Sequence, residues 1–181
     1  ALAGRAREAR PLAVSIAAGI TTGQLSRWLG GDAAVVRAMP NTPALLGAGM
    51  TGLHANAAVD ADGRARAQAL LAATGGTAWI DDEALMDAVT AVSGSGPAYA
   101  FLLAEAMEDA GRAQGLPAEA ARTLVVQTLL GAARMLAGSG EAPAGLRRRV
   151  TSPGGTTQAA IEVFEAGGLR ALVADAIAAA T

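Results

Sequence analysis

The residues best suited to bind a small anion lie in the segment VTSPGGTTQ, residues 150–158. Thr151 or Ser152 is a typical helix N-cap, and Pro153 favours the first position of a helix. The two glycines that follow would each cost a helix roughly 1 kcal/mol relative to alanine. Without β-carbons, however, they would let a carboxylate or phosphate lie directly on the first-turn amides. We therefore predict an anion site here, and close packing against another helix is the alternative.

Backbone and hydroxyl groups supply the chemistry of this turn. A helix N-terminus carries about half a positive charge and several N–H groups without intrahelical partners. Thr156 and Thr157 add hydroxyls one step further along. The run Arg147–Arg149 precedes the turn, and such a run is usually a solvated helix face. Attraction of an anion is its alternative role.

The residue types that are missing exclude several kinds of catalysis. The chain has no cysteine and no lysine, and its 14 basic residues are all arginine. Zinc-thiolate sites, cysteine nucleophiles, Walker-A phosphate binding and lysine Schiff bases are therefore excluded. His54 is the single histidine, and a lone histidine is more often a surface or hydrogen-bonded residue than a ligand. We expect no metal site.

Two other glycine-rich segments are better explained by structure than by ligand binding. GAGMTG, residues 47–52, matches the dinucleotide fingerprint G-x-G-x-x-G. A proline-broken loop precedes it and no helix pattern follows, so we interpret it as a turn between strands. SGSGPAY, residues 93–99, predicts a loop with Ser95 capping a helix that begins at Pro97. Close approach of a ligand to its glycines is the alternative.

The elements that must position these residues fall into two parts. Helix patterns alternate with four predicted strands in the first part, at PLAVSIAAG, AAVVRAMP, MTGLHAN and TAWI. This alternation is typical of a layered α/β domain. After Asp81 the sequence predicts only helices, including long ones that begin near Pro97 and Pro117. We therefore predict an α/β domain over residues 1–81 and an all-helical domain over residues 82–181.

Composition indicates how the core is built and what the surface does not attract. Apolar residues make up 52% of the chain and aromatic residues only 3%, so Ala, Leu and Val must form the core. Each buries little area, and such cores often need large shared surfaces. A net charge of −2 predicts no attraction to nucleic acid or anionic membranes. No apolar run reaches the length of a membrane span.

Three motifs in series, RAMPNTPALLGAGMT, AVSGSGPAY and VTSPGGTT, resemble those of pyrroline-5-carboxylate reductase. VSIAAG precedes them in the same order as in the family, so the resemblance extends from about Leu12 to the carboxyl end. The family reduces 1-pyrroline-5-carboxylate to L-proline, the last step of proline synthesis, with hydride from NADPH or NADH. The resemblance thus implies a cytoplasmic oxidoreductase with the C-terminal part of a Rossmann-like domain and a helical dimerisation domain.

The resemblance also implies roles for particular residues. The substrate carboxylate would bind at Ser152, Gly154, Gly155 and Thr156. Thr157 would hydrogen-bond the ring nitrogen and is the candidate catalytic residue. Glu83 matches an acidic position near the substrate pocket of the family. The nicotinamide end of the cofactor would be bordered by Ala17, Ala18, Pro40, Asn41 and Thr42.

The resemblance further implies an obligate homodimer, extending to a ring of dimers such as a decamer, because the helical domains of the family exchange long helices. Family members begin with a strand, a glycine-rich turn and a helix that bind the cofactor phosphates. This sequence starts with residues 1–10, which predict the end of a helix from a longer protein. We expect that half of the Rossmann-like domain is missing, which would leave a parallel sheet with an exposed edge.

Two alternatives to a reductase of pyrroline-5-carboxylate stay open at this point. The chain could be a catalytically silent dimerisation fragment that keeps only the anion-binding turn. It could also belong to a related reductase of β-hydroxyacids or other imines. That second alternative requires a lysine as general acid on a carbonyl, and the chain has none.

Overall fold

A computed structural model describes residue 4 and residues 9–181. Most of the helix end predicted for residues 1–10 lies outside the described residues. The chain divides into two compact units, the first running to Pro97 and including Ile177–Thr181, the second comprising Ala98–Ala176. The division at residue 81, which marks the change from strands to helices, stays a prediction of domain organisation.

The first unit is built on a four-stranded sheet. Its strands are β1 (Ala13–Ser15), β2 (Val35–Met39), β3 (Gly49–Ala55) and β4 (Gly75–Trp79), and they are neighbours in that order. Helix α1 (Thr22–Trp28) follows β1, a 3-10 turn (Thr42–Leu46) follows β2, and helix α2 (Ala61–Ala72) follows β3. The four predicted strands and the α/β class are confirmed.

The sheet is mixed, which corrects the expectation of a parallel one. β1 and β2 are parallel, as are β3 and β4, whereas β2 and β3 are antiparallel with Val36 opposite Ala55. A parallel crossover needs about a dozen residues or more. The connection over residues 40–48 contains only a single 3-10 turn, so β3 has to run back beside β2.

The glycine-rich segment at residues 47–52 is only partly the turn that its sequence predicts. Gly47 ends the 3-10 turn in the left-handed region, but Gly49 to Gly52 already belong to β3. The segment leads into a strand rather than a helix. It therefore lacks the helix N-terminus with which a dinucleotide fingerprint binds pyrophosphate.

The two faces of the sheet differ in chemistry. On one face Val36 and Leu53 pack with Val59 and with Ala67 of α2. Because side chains alternate along a strand, Arg37 of β2 and His54 of β3 point to the other face, and both are buried. This second face therefore buries charged and polar side chains as well as apolar ones.

A series of helical segments follows β4, and the first of them lie on the polar face of the sheet. The series consists of a 3-10 turn (Glu83–Leu85), helix α3 (Met86–Val89), a π turn (Thr90–Gly94) and helix α4 (Gly96–Ala113). We call residues 83–94 the connector. A β-carbon added to Gly52 of β3 would lie 2.5 Å from Cγ1 of Val89, so the connector packs directly on the sheet.

The prediction of a loop at SGSGPAY, residues 93–99, is wrong, because residues 90–94 form the π turn and α4 begins at Gly96. The Ser95 N–H donates to the carbonyl of Thr90 at 2.8 Å, which is the i→i+5 bond of a π helix. The Thr90 hydroxyl donates to the Met86 carbonyl at 3.0 Å. These bonds keep the chain helical where serine and glycine favour a loop.

The helical part continues with α5 (Ala118–Gly138), α6 (Pro143–Arg149), α7 (Thr156–Ala166) and α8 (Leu169–Ala179). Two long helices separated by Gly115–Pro117 were predicted, and α4 and α5 confirm them. Within α5, Ala121 and Val125 are buried. Large apolar side chains of α4 and α5 nevertheless stay exposed in the single chain, namely Phe101, Leu102, Leu103, Leu124, Val126, Leu130, Met135 and Leu136.

The described part of the chain contains neither a membrane-spanning helix nor a cluster of metal-binding side chains. No helix there combines the length and the apolar character needed to cross a bilayer. The same residues contain no group of three or more His, Cys, Asp or Glu side chains able to hold a metal ion.

Three charged side chains connect the helices around α7. Oε1 of Glu165 lies 3.1 Å from a guanidinium nitrogen of Arg147 and 2.8 Å from one of Arg170. The hydrogen bond from Arg170 is the main reason why the pKa of Glu165 is lower than its ordinary value of 4.5, and the charges of Arg170 and Arg147 add to it. These residues join the end of α6 and the start of α8 to α7.

We predict that Glu165→Gln lowers the free energy of unfolding at pH 7 but much less at pH 3. Because the pKa of Glu165 is lower in the folded state, its stabilisation is present above the unfolded pKa and is lost as the pH falls through the folded pKa. Urea unfolding of both proteins at several pH values measures this. Glu162→Gln is the control, because Glu162 accepts from the neutral Gln158. A wild-type advantage over Glu165→Gln that stays constant from pH 7 to 3 would contradict the prediction.

We also predict that Gly75→Ala in β4 lowers the free energy of unfolding by about 2–4 kcal/mol. Gly75 has φ +141°, and an added β-carbon would lie 2.0 Å from the Gly49 carbonyl oxygen. The neighbouring Gly76→Ala is the matched control, since the closest atom to its β-carbon would be the flexible Met50 sulfur at 3.2 Å, and the Gly49 carbonyl oxygen would lie at 4.0 Å, an ordinary contact. Urea unfolding compares the two variants, and equal losses would refute the role assigned to Gly75.

Candidate active site

The glycines of the predicted anion site form a turn that precedes the helix. The Gly155 N–H donates to the Ser152 carbonyl at 3.0 Å, with Pro153 and Gly154 at the two central positions. Gly154 has φ +71°, as the second central residue of a type II turn requires. Helix α7 begins only at Thr156. The prediction that Pro153 and both glycines lie in the first helical turn is therefore wrong.

The predicted N-caps, Thr151 and Ser152, do not cap α7 either. The Thr151 hydroxyl donates to the Arg147 carbonyl at 2.6 Å, so it closes the end of α6. The N-cap of α7 is Gly155, which makes no side-chain hydrogen bond. Gln158 takes over part of this role, because its Oε1 accepts from the Gly154 N–H at 2.8 Å. The Gly154 amide is thus already paired, and this glycine supplies conformation and space.

Three first-turn amides of α7 stay available for a ligand. Among the described residues, the N–H groups of Thr156, Thr157 and Gln158 have no hydrogen-bond acceptor, as expected for the start of a helix. The side chains of Thr156 and Thr157 are exposed. Residues 152–157, which we call the anion turn, therefore combine unpaired amides with exposed hydroxyls, and this is the donor set that binds a carboxylate.

The arginine run before the anion turn is largely occupied by ion pairs. Arg147 pairs with Glu165 at 3.1 Å, and Arg149 pairs with Glu141. Arg148 is exposed and has no ion pair within the described part of the chain. This favours the interpretation of the run as a solvated helix face, and only Arg148 is left to attract an anion.

The predicted cofactor residues come together at one edge of the sheet. β1 and β2 are parallel neighbours, with Ser15 opposite Arg37, so the loops that follow them leave the sheet on the same side. We call these loops, residues 16–21 and 40–42, the carboxyl edge. They contain Ala17 and Ala18 after β1, and Pro40, Asn41 and Thr42 after β2. Ligands of open α/β sheets bind at the carboxyl ends of strands.

The side chain of Asn41 is used within the fold. Its Nδ2 donates to the Ser93 carbonyl at 3.1 Å and its Oδ1 accepts from the Met50 N–H at 2.9 Å. Asn41 thus ties the loop after β2 to β3 and to the π turn. Ala17, Ala18 and Thr42 are exposed, so they are the more accessible members of the carboxyl edge.

Glu83, predicted to lie near the substrate, is engaged by residues of the first unit. Its Oε1 accepts from the Thr22 N–H at 2.7 Å, and its Oε2 accepts from the Thr22 hydroxyl at 2.7 Å. Arg37 lies 3.7 Å from Oε1 and pairs with Asp87 at 3.2 Å. Both carboxylate oxygens already have donors within the fold, and the predicted substrate role of Glu83 stays a prediction.

His54 is buried and hydrogen-bonded. The sequence predicts either a surface histidine or a hydrogen-bonded one, and the second prediction is correct. Nδ1 of His54 lies 2.9 Å from the Ile80 carbonyl, which can only accept, so Nδ1 carries the proton. Its Nε2 faces Oε2 of Glu83 at 4.0 Å. His54 therefore supports the buried polar cluster on the second face of the sheet.

Sequence reasoning missed the partners of Glu83, namely Arg37 and Thr22, and the pairing of Arg37 with Asp87. The available signal was an arginine inside the apolar strand sequence AAVVRAMP. A buried guanidinium needs a carboxylate partner, and the acidic segment DDEALMD offers several. The two predicted site sets lie in different units, the carboxyl edge and Glu83 in the first and the anion turn in the second.

We predict that Gly154→Ala destabilises the fold by about 1–2 kcal/mol, the cost of placing alanine in the left-handed region. No atom lies within 4 Å of the added β-carbon, so the cost comes from backbone strain alone. Gly154→Asn is the matched control and should cost less, because asparagine tolerates this conformation. Urea unfolding measures both variants, and an equal loss for alanine and asparagine would contradict the strain argument.

Comparison with known proteins places these features in one family. The family model for pyrroline-5-carboxylate reductase dimerisation matches residues 83–181, more than half of the chain. A pyrroline-5-carboxylate reductase of Pseudomonas aeruginosa is 59% identical over 94% of this chain and 62% of its own length. One of Synechocystis is 47% identical over 94% of this chain and 63% of its own length. The chain thus spans less than two thirds of these relatives.

Solved structures give the same result. A pyrroline-5-carboxylate reductase of Coxiella burnetii superimposes with a TM-score of 0.96 at 45% identity, over 99% of this chain and 66% of that one. The Plasmodium falciparum enzyme, solved with NADP bound, gives a TM-score of 0.86 at 33% identity, over 95% of this chain and 68% of that one. These matches confirm the predicted fold class, the C-terminal part of a Rossmann-like domain followed by a helical domain. The chain therefore belongs to the pyrroline-5-carboxylate reductase family.

Proposed function

We propose that this chain carries the substrate-binding turn and part of the cofactor-binding edge of an enzyme that reduces 1-pyrroline-5-carboxylate to L-proline. The observation that carries the proposal is the anion turn, with its unpaired amides of Thr156 and Thr157 beside two exposed hydroxyls. The substrate has a carboxylate next to a cyclic imine, so it needs both an anion site and a polar group at the nitrogen. The anion turn offers both within a few residues.

We assign the substrate carboxylate to the amides at the start of α7. Three N–H groups without an acceptor among the described residues can donate to its oxygens, and the exposed Ser152 and Thr156 hydroxyls lie beside them. Gly154 and Gly155 allow the ligand to approach the backbone. Hydrogen bonds to an ionised acceptor are the stronger kind, so this contact would orient the ring without any charged side chain.

We assign the ring nitrogen to Thr157, whose hydroxyl follows the carboxylate donors on α7. Reduction forms a C–H bond at C5, breaks the C=N π bond and leaves the nitrogen to take up one proton. A hydroxyl held at this nitrogen orients the imine and stabilises the change in charge. The anion turn is exposed, so water can deliver the proton.

The carboxyl edge fits the nicotinamide end of NADPH or NADH. Ala17 and Ala18 are exposed and carry only methyl groups, which leaves room for a flat ring above the ends of β1 and β2. When bound, the reduced nicotinamide supplies the hydride. Pro40, Asn41 and Thr42 would border it from the loop after β2.

We propose that the protein works as a homodimer, formed through α4 and α5. Phe101 and Leu102 of α4 are 68% and 66% exposed, and Leu124 of α5 is 55% exposed. Apolar faces of this extent usually mark an interface. The match to a dimerisation family over this region supports the same assignment. A decamer and a cytoplasmic location remain expectations drawn from the family.

The second candidate function is a dimerisation fragment that binds the substrate anion but does not turn over. It is favoured by the dimerisation family model, which matches residues 83–181. NADPH oxidation with 1-pyrroline-5-carboxylate, followed by absorbance, separates the candidates. The 181-residue chain and a polypeptide extended to the full length of its relatives are compared. Turnover by the extended protein alone makes this chain part of a reductase, and no turnover by two folded dimers favours the fragment.

We predict that Thr157→Ala in the extended protein lowers kcat by about 10–100-fold, the loss expected for one transition-state hydrogen bond. Thr157→Ser, which keeps the hydroxyl, is the matched control and should retain most activity. Size-exclusion chromatography shows whether both variants remain dimers. Unchanged turnover by Thr157→Ala would remove Thr157 from the mechanism.

A further inference from the structure

The loop that follows β1 has few bonds to the rest of the fold. Its internal bonds are local, for example from the Ala17 N–H to the Ser15 hydroxyl at 3.3 Å and from the Thr21 N–H to Gln24 at 2.8 Å. Residues 16–19 are exposed. Thr22, the first residue of α1, follows this loop directly. Among the described residues, the loop and Thr22 make hydrogen bonds to a distant segment only through Thr22, which donates to Glu83.

The bond between Thr22 and Glu83 is well suited to fix that loop. Both carboxylate oxygens accept from the same residue at 2.7 Å, one from its amide and one from its hydroxyl. Thr22 is only 4% exposed, so water competes little for these bonds. Hydrogen bonds to an ionised group are about twice as strong as neutral ones.

Glu83 is itself held in place from the sheet. Arg37 of β2, which is 4% exposed, lies 3.7 Å from Oε1, and the His54 ring lies 4.0 Å from Oε2. The buried Arg37 guanidinium attracts the Glu83 carboxylate to this place, whereas Nε2 of His54, on a ring whose proton is on Nδ1, only lies beside it. The carboxylate therefore transmits the position of the sheet to the start of α1.

The second loop of the carboxyl edge is fixed by the same connector. Asn41 donates to the carbonyl of Ser93, in the π turn, at 3.1 Å. The connector thus holds both loops, one through Glu83 at its beginning and one through Ser93 near its end. This arrangement sets the spacing of the two loops between which the nicotinamide would lie.

We propose that Glu83 is a positioning residue for cofactor binding, acting through Thr22 on the loop that contains Ala17 and Ala18. It does not contact the substrate. The inference rests on the proposed function, because it assigns this loop to the nicotinamide. It replaces the direct substrate role that the family resemblance predicts for Glu83.

The test measures NADPH binding by fluorescence titration in the extended protein. Its variants remove the hydrogen bonds between Thr22 and Glu83 by changing one residue or the other. Glu83→Ala should raise the Kd for NADPH about tenfold, since it removes two charge-assisted bonds. Thr22→Val keeps the amide bond and loses the hydroxyl bond, so it should raise Kd about threefold. Thr22→Ser keeps both donors and should bind like the wild type. The double variant Glu83→Ala, Thr22→Val should match Glu83→Ala alone.

Other outcomes would overturn the proposal. Lower thermal stability with an unchanged Kd would make Glu83 merely structural. An unchanged Kd with a raised KM for 1-pyrroline-5-carboxylate would make it a substrate contact. Additive effects of the two substitutions would show that Glu83 does not act through Thr22. If the wild type binds NADPH but does not reduce the imine, the proposed function fails while the Kd comparison still decides the role of Glu83.

Discussion

A buried arginine in the second strand determines the arrangement of the first unit. Arg37 is 4% exposed, and taking a guanidinium out of water costs several kcal/mol unless carboxylates compensate. Glu83 and Asp87 do so at 3.7 and 3.2 Å. They are four residues apart, hence on one side of the connector, which must therefore lie on this face of β2. The position of α1 follows, because the same Glu83 binds Thr22.

The candidate site would bind its ligand with main-chain amides and hydroxyl groups rather than with charged side chains. Without lysine or cysteine, and with its only histidine bonded to Ile80, the chain has few titratable groups to offer a substrate. The anion turn uses amides and hydroxyls instead. Charged side chains near the sites, such as Glu83, Arg147 and Glu165, bind one another and hold backbone in place. These side chains would contribute to function by fixing the positions of the backbone segments that form the site.

Much of the fold could be predicted because each element has a local cause. Apolar runs such as those around Val35 and Leu53 form the strands, and Pro117 and the glycines mark helix boundaries. The π turn could not be predicted, because it depends on contacts such as that between Gly94 and Met39, where an added β-carbon would lie 2.8 Å from the methionine methyl. The partners of Arg37 likewise depend on tertiary packing, whereas the antiparallel direction of β3 follows from the short connection over residues 40–48.

The turn before α7 could be predicted, but not the residue at which the helix begins, for a related reason. Serine, proline and two glycines before a helix predict a turn with free amides wherever the helix begins. Whether Gly154 lies inside the helix or before it depends on one hydrogen bond, between Gly155 and Ser152. Propensities cannot resolve a difference of that size. The occupied carboxylate of Glu83 is also invisible in the sequence, since its partner Thr22 lies 61 residues away.

Binding an anion through peptide N–H groups has a consequence for how such a site can evolve. Every amino acid except proline carries the same amide, so nearly all codon changes at residues 156–158 would leave the amide donors in place. Changes at Thr156 and Thr157 would still remove hydroxyls. For the amide contacts, selection would act instead on the residues that bend the chain, Pro153 and Gly154, which need not touch the ligand. The mark of those contacts in a sequence would therefore be the shape of the turn, while the hydroxyl contacts would be visible as the threonines themselves.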